Sequence, residues 1–172
     1  MSELWIPLGD IPAEGREFHF TDQSLWTGPM KELRVPGAVR RPFEADMRIV
    51  PQDDGFLVTG GFSGSLIVPC GRCAEDFELA LGGDFESFEA PDADEGLEGE
   101  GRLRMNAGQP EFDAGGYLWE QFILALPETP VCAEDCKGLC PTCGVNRNQT
   151  TCACSRDDGD PRLAVLRNLK LS

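Results

Sequence analysis

The clearest alternation of hydrophobic and polar positions lies within Val39–Val50, where Phe43, Ala45, Met47 and Ile49 fall on one face. A period of two over this length predicts a half-buried β-strand. Asp53-Asp54-Gly55 follows as a turn. Phe56–Val68 is again rich in β-formers, with Gly60, Gly61 and Gly64 marking a bulge or strong bend. Together the two segments predict a long antiparallel hairpin. Shorter strand signals occur at Arg16–Phe20, Phe77–Leu81 and Asp84–Ala90, while Ser24-Leu25-Trp26 is expected to end at the Gly28-Pro29 breaker. A helix is predicted over Gly115–Leu126. Asp113 caps it, Leu118, Phe122 and Ala125 or Leu126 keep helical spacing, and Pro127 stops it. A last helix opens at Asp160-Pro161, with Pro161 at the first helical position and Leu163, Leu166 and Leu169 as its apolar stripe. The expected fold class is α+β: an antiparallel sheet or partly closed barrel with a packed helix.

Cysteine placement adds a second layer. Six of the eight cysteines lie in VCAEDCKGLCPTCGVNRNQTTCAC, at Cys132, Cys136, Cys140, Cys143, Cys152 and Cys154; Cys70 and Cys73 form a CGRC pair upstream. Two residues between thiols let the backbone turn so that both sulfurs reach one ion at ~2.3 Å. In CPTCG, Pro141 stiffens that turn and Gly144 accepts a backbone angle other residues avoid. Cys152-Ala153-Cys154 supplies a second pair across a hairpin-sized loop, so Cys140, Cys143, Cys152 and Cys154 are expected to form one site. Cys70, Cys73, Cys132 and Cys136 are left for another, with Cys132 and Cys136 on one face of a helical turn; an exchange of pairs between the two sites stays open. Zinc suits two closed four-thiolate sites, and iron is the alternative that ligand type alone does not separate. The chain then divides into an α+β body at residues 1–131, with an acidic connector near 91–101, a cysteine-rich metal-binding and zinc-knuckle segment at 132–155, and a C-terminal helix at 156–172.

Charge narrows the partners. The chain has 30 acidic and 15 basic residues and a formal charge of −15. Each four-thiolate zinc site would add about −2. Such a chain repels nucleic acid at long range and favours basic partners. Its cations are unevenly spread: from Lys137 onward, Lys137, Arg147, Arg156, Arg162, Arg167 and Lys170 face only Asp157, Asp158 and Asp160. Arg147, Arg156, Arg162, Arg167 and Lys170 are the candidate RNA contacts. Lys31, Arg34, Arg40 and Arg41 form a second basic group. The start, MSELWIPLGDIP, lacks a basic n-region, and no apolar run approaches the ~20 residues of a membrane span. The expected compartment is the cytoplasm, where clustered thiols stay reduced and bind metal.

Signals for catalysis are weak. His19, the single histidine, sits between Phe18 and Phe20 and reads as a strand-face residue. GGFSG lacks the lysine and helix of a phosphate loop. Glu75 and Asp76 beside CGRC would raise a thiol pKa, against dithiol catalysis. No enzyme, catalytic residue, membrane partner or small-molecule substrate is expected.

The order of motifs is Cys70-Gly71-Arg72-Cys73, then a helix ending in LALP (Leu124–Pro127), then C-x3-C-K-G-L-C-P-x-C-G-x-N, C-x-C and DPR-x-x-x-L-x-x-L (Asp160–Leu169). It resembles the bacterial YceD-type large ribosomal RNA subunit accumulation proteins. The resemblance covers nearly the whole chain and is most specific in Cys132–Leu169. It implies a cytoplasmic, non-enzymatic factor that supports large-subunit ribosomal RNA accumulation, through RNA processing or ribosome assembly. Ribosomal RNA or its precursor would then be the partner. The charge balance supports an alternative, an acidic adaptor or chaperone that binds a basic ribosomal protein without touching RNA.

Overall fold

The computed structural model describes residues 4–90 and 102–154. The acidic connector near 91–101 and the helix expected at 156–172 lie outside these residues, as do Arg156, Arg162, Arg167 and Lys170. Among the described residues, seven strands and two helices follow in the order β1 (Trp5–Pro7), β2 (Arg16–Phe20), α1 (Ser24–Glu32), β3 (Ala38–Gln52), β4 (Gly55–Pro69), β5 (Asp76–Glu89), β6 (Leu103–Asn106), β7 (Gln109–Asp113) and α2 (Ala114–Ala125). All pairings are antiparallel and build two sheets, ordered β2-β3-β4-β5 and β1-β7-β6. The fold class is α+β. Of the two sheet forms expected, the open one holds, because neither sheet closes into a barrel.

The long hairpin is β3–β4, turning at Asp53-Asp54 between Gln52 and Gly55. Its alternating face, Phe43, Ala45, Met47 and Ile49, is buried. The irregularity expected from the glycines falls on the partner strand. Register shifts occur between Val39 and Arg41 and between Arg41 and Glu44, opposite Leu66–Ser63. Gly64 is needed there because a Cβ would stand 2.2 Å from the Phe43 ring. Phe77–Leu81 and Asp84–Glu89 are one continuous strand, β5, paired to β4 along its whole length.

Helix α1 departs from expectation, running through Gly28-Pro29 instead of ending there. A proline at this depth removes a helical hydrogen bond and crowds the preceding turn, at a cost of about 3 kcal/mol. Burial of Leu25, Trp26, Pro29 and Met30 opposes that cost. So does Gln23, whose side-chain amide donates to Phe43 O (2.8 Å) and accepts from Phe43 N (3.0 Å), completing β3 where β2 does not reach.

Helix α2 begins at its expected cap: Asp113 accepts from Gly116 N at 2.8 Å. Its buried face joins the layers through ring contacts, Trp26–Phe43, Phe43–Phe122 and Trp119–Phe122 on one side and Phe85–Tyr117 and Phe112–Tyr117 on the other, with centroids 5.1–5.7 Å apart. Such pairs each add about 0.5–1.5 kcal/mol beyond area burial. Arg102 fastens β5 to α2 through Glu89 (2.8 Å) and Glu120, over the face of Tyr117. The chain leaves α2 at Leu126-Pro127 heading for the tip of the β4–β5 hairpin, which places the cysteines.

Candidate metal centres

The CGRC pair is the loop between β4 and β5, following directly on Pro69. Gly71 N donates to Pro130 O at 2.8 Å and brings the segment after α2 against it. The four sulfurs of Cys70, Cys73, Cys132 and Cys136 then lie within 4.8 Å of one another, and those of Cys140, Cys143, Cys152 and Cys154 form a second such group. The first quartet joins residues 59 to 66 positions apart; the second is local. Cys132 and Cys136 reach the inner group from a turn closed by Cys136 N to Ala133 O (3.1 Å), not from a turn of helix.

Both Cys-x-x-Cys loops have the same backbone. In the inner one Ala74 N donates to Cys70 O (2.9 Å) and Cys70 N to Glu75 O (2.9 Å); in the outer one Gly144 N donates to Cys140 O (2.8 Å) and Cys140 N to Val145 O (2.8 Å). The residue after the second cysteine is left-handed in each, with φ of 59° at Ala74 and 73° at Gly144. Alanine therefore stands in the inner loop where the outer loop has the glycine such a conformation favours.

Sulfur spacing tests whether these groups suit a metal. Cys70–Cys136 and Cys73–Cys132 are 3.9 and 3.7 Å apart. A disulfide would need about 2.05 Å. A tetrahedron with metal–sulfur bonds of about 2.3 Å has edges of about 3.8 Å. The donors are four thiolates with no neighbouring imidazole or carboxylate in either group, so each site is closed and fits a structural zinc or iron.

Electrostatics show the same demand for a cation. The backbone N–H groups of Cys73, Cys132 and Arg72 hold Cys70 down to about 6, despite its burial. The N–H groups of Cys143 and Thr142 bring Cys140 to about 6. Their neighbours move the other way: Cys132 is pushed up to about 12 by Cys136 and burial, and Cys154 to about 12 by Cys143 and burial. Each quartet, alone, keeps some thiols protonated because four adjacent negative charges repel; a divalent cation removes that conflict.

Three supporting residues give little sequence signal. Arg72 donates from its guanidinium to Glu134 O (2.9 Å) and Cys136 O (3.2 Å), and its own carbonyl accepts from Leu139 N. Asn148 donates to Cys136 Sγ at 3.3 Å and lowers that thiol's pKa. Glu75 accepts from Asn146 and Gln149. These contacts hang the outer hairpin, with its Leu139–Asn146 bridge, on the inner quartet. The N-x-N spacing, which lets Asn148 N donate to Asn146 Oδ1 at 3.0 Å, was the available clue. Arg147 is exposed, and with Lys137 it lines an open hollow of about 670 Å³ over the outer quartet. Lys31 and Arg34 border a separate, apolar groove beside α1. His19 lies exposed on β2 with Nδ1 2.7 Å from Asp46 Oδ1. No described helix is long and apolar enough to cross a membrane.

Two closed thiolate quartets on an antiparallel α+β frame, one long-range and one local, describe a protein whose cysteines could hold metal ions as structural fasteners. The chain belongs to the YceD family, described as "Large ribosomal RNA subunit accumulation protein YceD", whose model matches residues 58–170 and so takes in both quartets. An uncharacterized protein of Mycobacterium bovis is 36% identical over 113 residues, 59% of this chain and 50% of the relative. The chloroplastic "Large ribosomal RNA subunit accumulation protein YCED homolog 1" of Arabidopsis thaliana is 27% identical over 146 residues, 81% of this chain and 45% of the relative. Its namesake in Zea mays is 36% identical over 66 residues, 38% and 22% of the two chains. The match spans about half the length of the Mycobacterium bovis and Arabidopsis thaliana relatives. No solved structure matches the chain.

Proposed function

We propose that this chain is a zinc-stabilised, non-enzymatic cytoplasmic factor that supports large-subunit ribosomal RNA accumulation through RNA processing or ribosome assembly. Zinc is held by Cys70, Cys73, Cys132 and Cys136 and by Cys140, Cys143, Cys152 and Cys154. The observation that carries this reading is the sulfur spacing of 3.7–3.9 Å in the inner quartet, the edge of a zinc tetrathiolate tetrahedron. Closed coordination leaves the metal no open position for substrate, so the metal holds shape and the working parts are surfaces. RNA contact falls to Arg147, Arg156, Arg162, Arg167 and Lys170. Gently purified protein is expected to hold two zinc equivalents and to be colourless, with few cysteines alkylated until chelator is added; metal-free or iron-coloured protein refutes the zinc assignment. Affinity for ribosomal precursor RNA should fall with salt and with Arg→Ala changes at those positions. RNA affinity indifferent to both refutes the contact surface.

A second reading, an acidic adaptor for a basic ribosomal protein, is favoured by the charge: residues 1–136 carry 27 acidic and nine basic side chains. Such a surface attracts cationic polypeptide and repels RNA. Retention of basic proteins without RNA would favour it.

A further inference from the structure

Strand β5 closes one side of the four-stranded sheet and is paired only to β4 among the described residues. It is 14 residues long. An edge strand turns every second N–H and C=O away from its neighbour, so β5 offers a long ladder of backbone donors and acceptors to an incoming strand. Proteins usually shorten such edges, cover them or interrupt them with proline or lysine. Here the edge runs unbroken and carries no lysine, arginine or proline.

Its side chains define what would pair with it. The inward positions Phe77, Leu79, Leu81 and Phe85 belong to the core or pack on it. The outward positions Asp76, Glu78, Ala80, Gly82, Asp84, Glu86 and Phe88 are all exposed, and four are carboxylates. A second copy of this strand is a poor occupant, because pairing would set carboxylates opposite carboxylates. Basic side chains on one face of an extended peptide would meet Asp76, Glu78, Asp84 and Glu86. The small Ala80 and Gly82 leave room between the two acidic pairs for long side chains to lie on the sheet.

We propose that the free edge of β5 binds a lysine- or arginine-rich extended polypeptide segment by strand addition. Backbone hydrogen bonds supply the alignment and the outward carboxylates supply selectivity for cations. This rests on the adaptor reading and gives it a location, and it is independent of RNA contact elsewhere on the chain.

The test uses the full chain and a fluorescein-labelled, end-blocked peptide of about nine residues alternating lysine and valine. A matched peptide carries N-methyl groups at alternate residues, which keeps its charge but prevents strand pairing. Anisotropy titrations at low salt should show the unmodified peptide binding at least about tenfold more tightly. The Asp84→Lys/Glu86→Lys double variant should weaken it by about tenfold or more. Amide hydrogen exchange across residues 76–89 should slow on binding, and thermal melting of the variant checks that it folds. Equal affinity for both peptides overturns strand addition while leaving an acidic adaptor intact. Binding of neither peptide overturns both. Exchange protection on another strand, or a folded double variant with unchanged affinity, also overturns the assignment to β5. An oligouridine titration run alongside reports on RNA contact separately.

Discussion

Cys73→Ser and Cys143→Ser each remove one thiolate from a quartet, yet they should differ in their effect on the body of the protein. Cys73 lies in the β4–β5 loop and meets Cys132 from 59 residues away. Bringing two points so far apart together costs the unfolded chain about 4 kcal/mol of entropy, and the folded sheet and α2 have already met that cost. A metal that binds only this arrangement stabilises the fold by about 4 kcal/mol at a thousandfold excess over its dissociation constant. For a chain of this size that is a melting-temperature loss of about 8–16 °C on removal. Cys143 sits in a local hairpin that touches the body mainly through Glu75, Cys136 and the Arg72 carbonyl. Its loss should free the hairpin and one metal equivalent while moving the main transition by less than about 4 °C. Differential scanning calorimetry with elemental analysis of the same samples reads both effects. Equal shifts for the two variants, or a larger one for Cys143→Ser, would refute the assignment of the inner quartet as the long-range fastener.

Four further expectations can be checked. Arg72→Ala loses two hydrogen bonds from one guanidinium nitrogen to backbone carbonyls and should cost about 2 kcal/mol, measured by urea unfolding. Ala74→Gly should tighten inner-site metal binding by relieving a left-handed alanine, and Gly144→Ala should loosen the outer site, each by about 1 kcal/mol in chelator competition. Gly64→Ala drives a methyl into the Phe43 ring and should destabilise by about 1–3 kcal/mol. In metal-free protein, thiolate absorbance should rise near pH 6 with Cys70 and Cys140 and shed one step in Cys70→Ser and one in Cys140→Ser. Because these two are depressed from 9, their contribution to stability is complete above pH 9 and is lost as pH falls through 6.

The β3–β4 hairpin was legible because its face from Phe43 to Ile49 must be buried and one register alone achieves that. Helix α2 was legible from its ends, Asp113 and Pro127, which act locally. Helix α1 was not: Gly28-Pro29 argues against a helix within its own turn, and the opposing terms, burial of Trp26 and the Gln23–Phe43 amide pair, come from a strand 20 residues away. The β6–β7 hairpin escaped because its two-residue turn uses Ala107 at φ 49°, where asparagine or glycine would have signalled it. Clustered thiols announced groups that could hold metal. The sequence left their division into quartets open, because that depends on Gly71 meeting Pro130 and on Arg72 reaching Glu134, contacts with no local signature.

The metal sites also change how the cations should be weighed. From Lys137 to Ser172 six basic residues against three acidic ones leave +3, and a filled outer quartet of about −2 reduces this to about +1. Lys137 and Arg147 line the hollow over that quartet. The cysteine-rich end is therefore nearly neutral, while the exposed face of β5 holds four carboxylates and no cation. Long-range steering, which follows summed charge, should favour cationic polypeptide over RNA. If the proposed RNA contact holds, its affinity must come from individual guanidinium–phosphate pairs, with a salt dependence set by those few contacts. Metal loading should lower any RNA affinity through added negative charge if the metal acts on RNA contact through charge alone. The sign of that change separates a metal that shapes an RNA-binding surface from one that only fastens the chain.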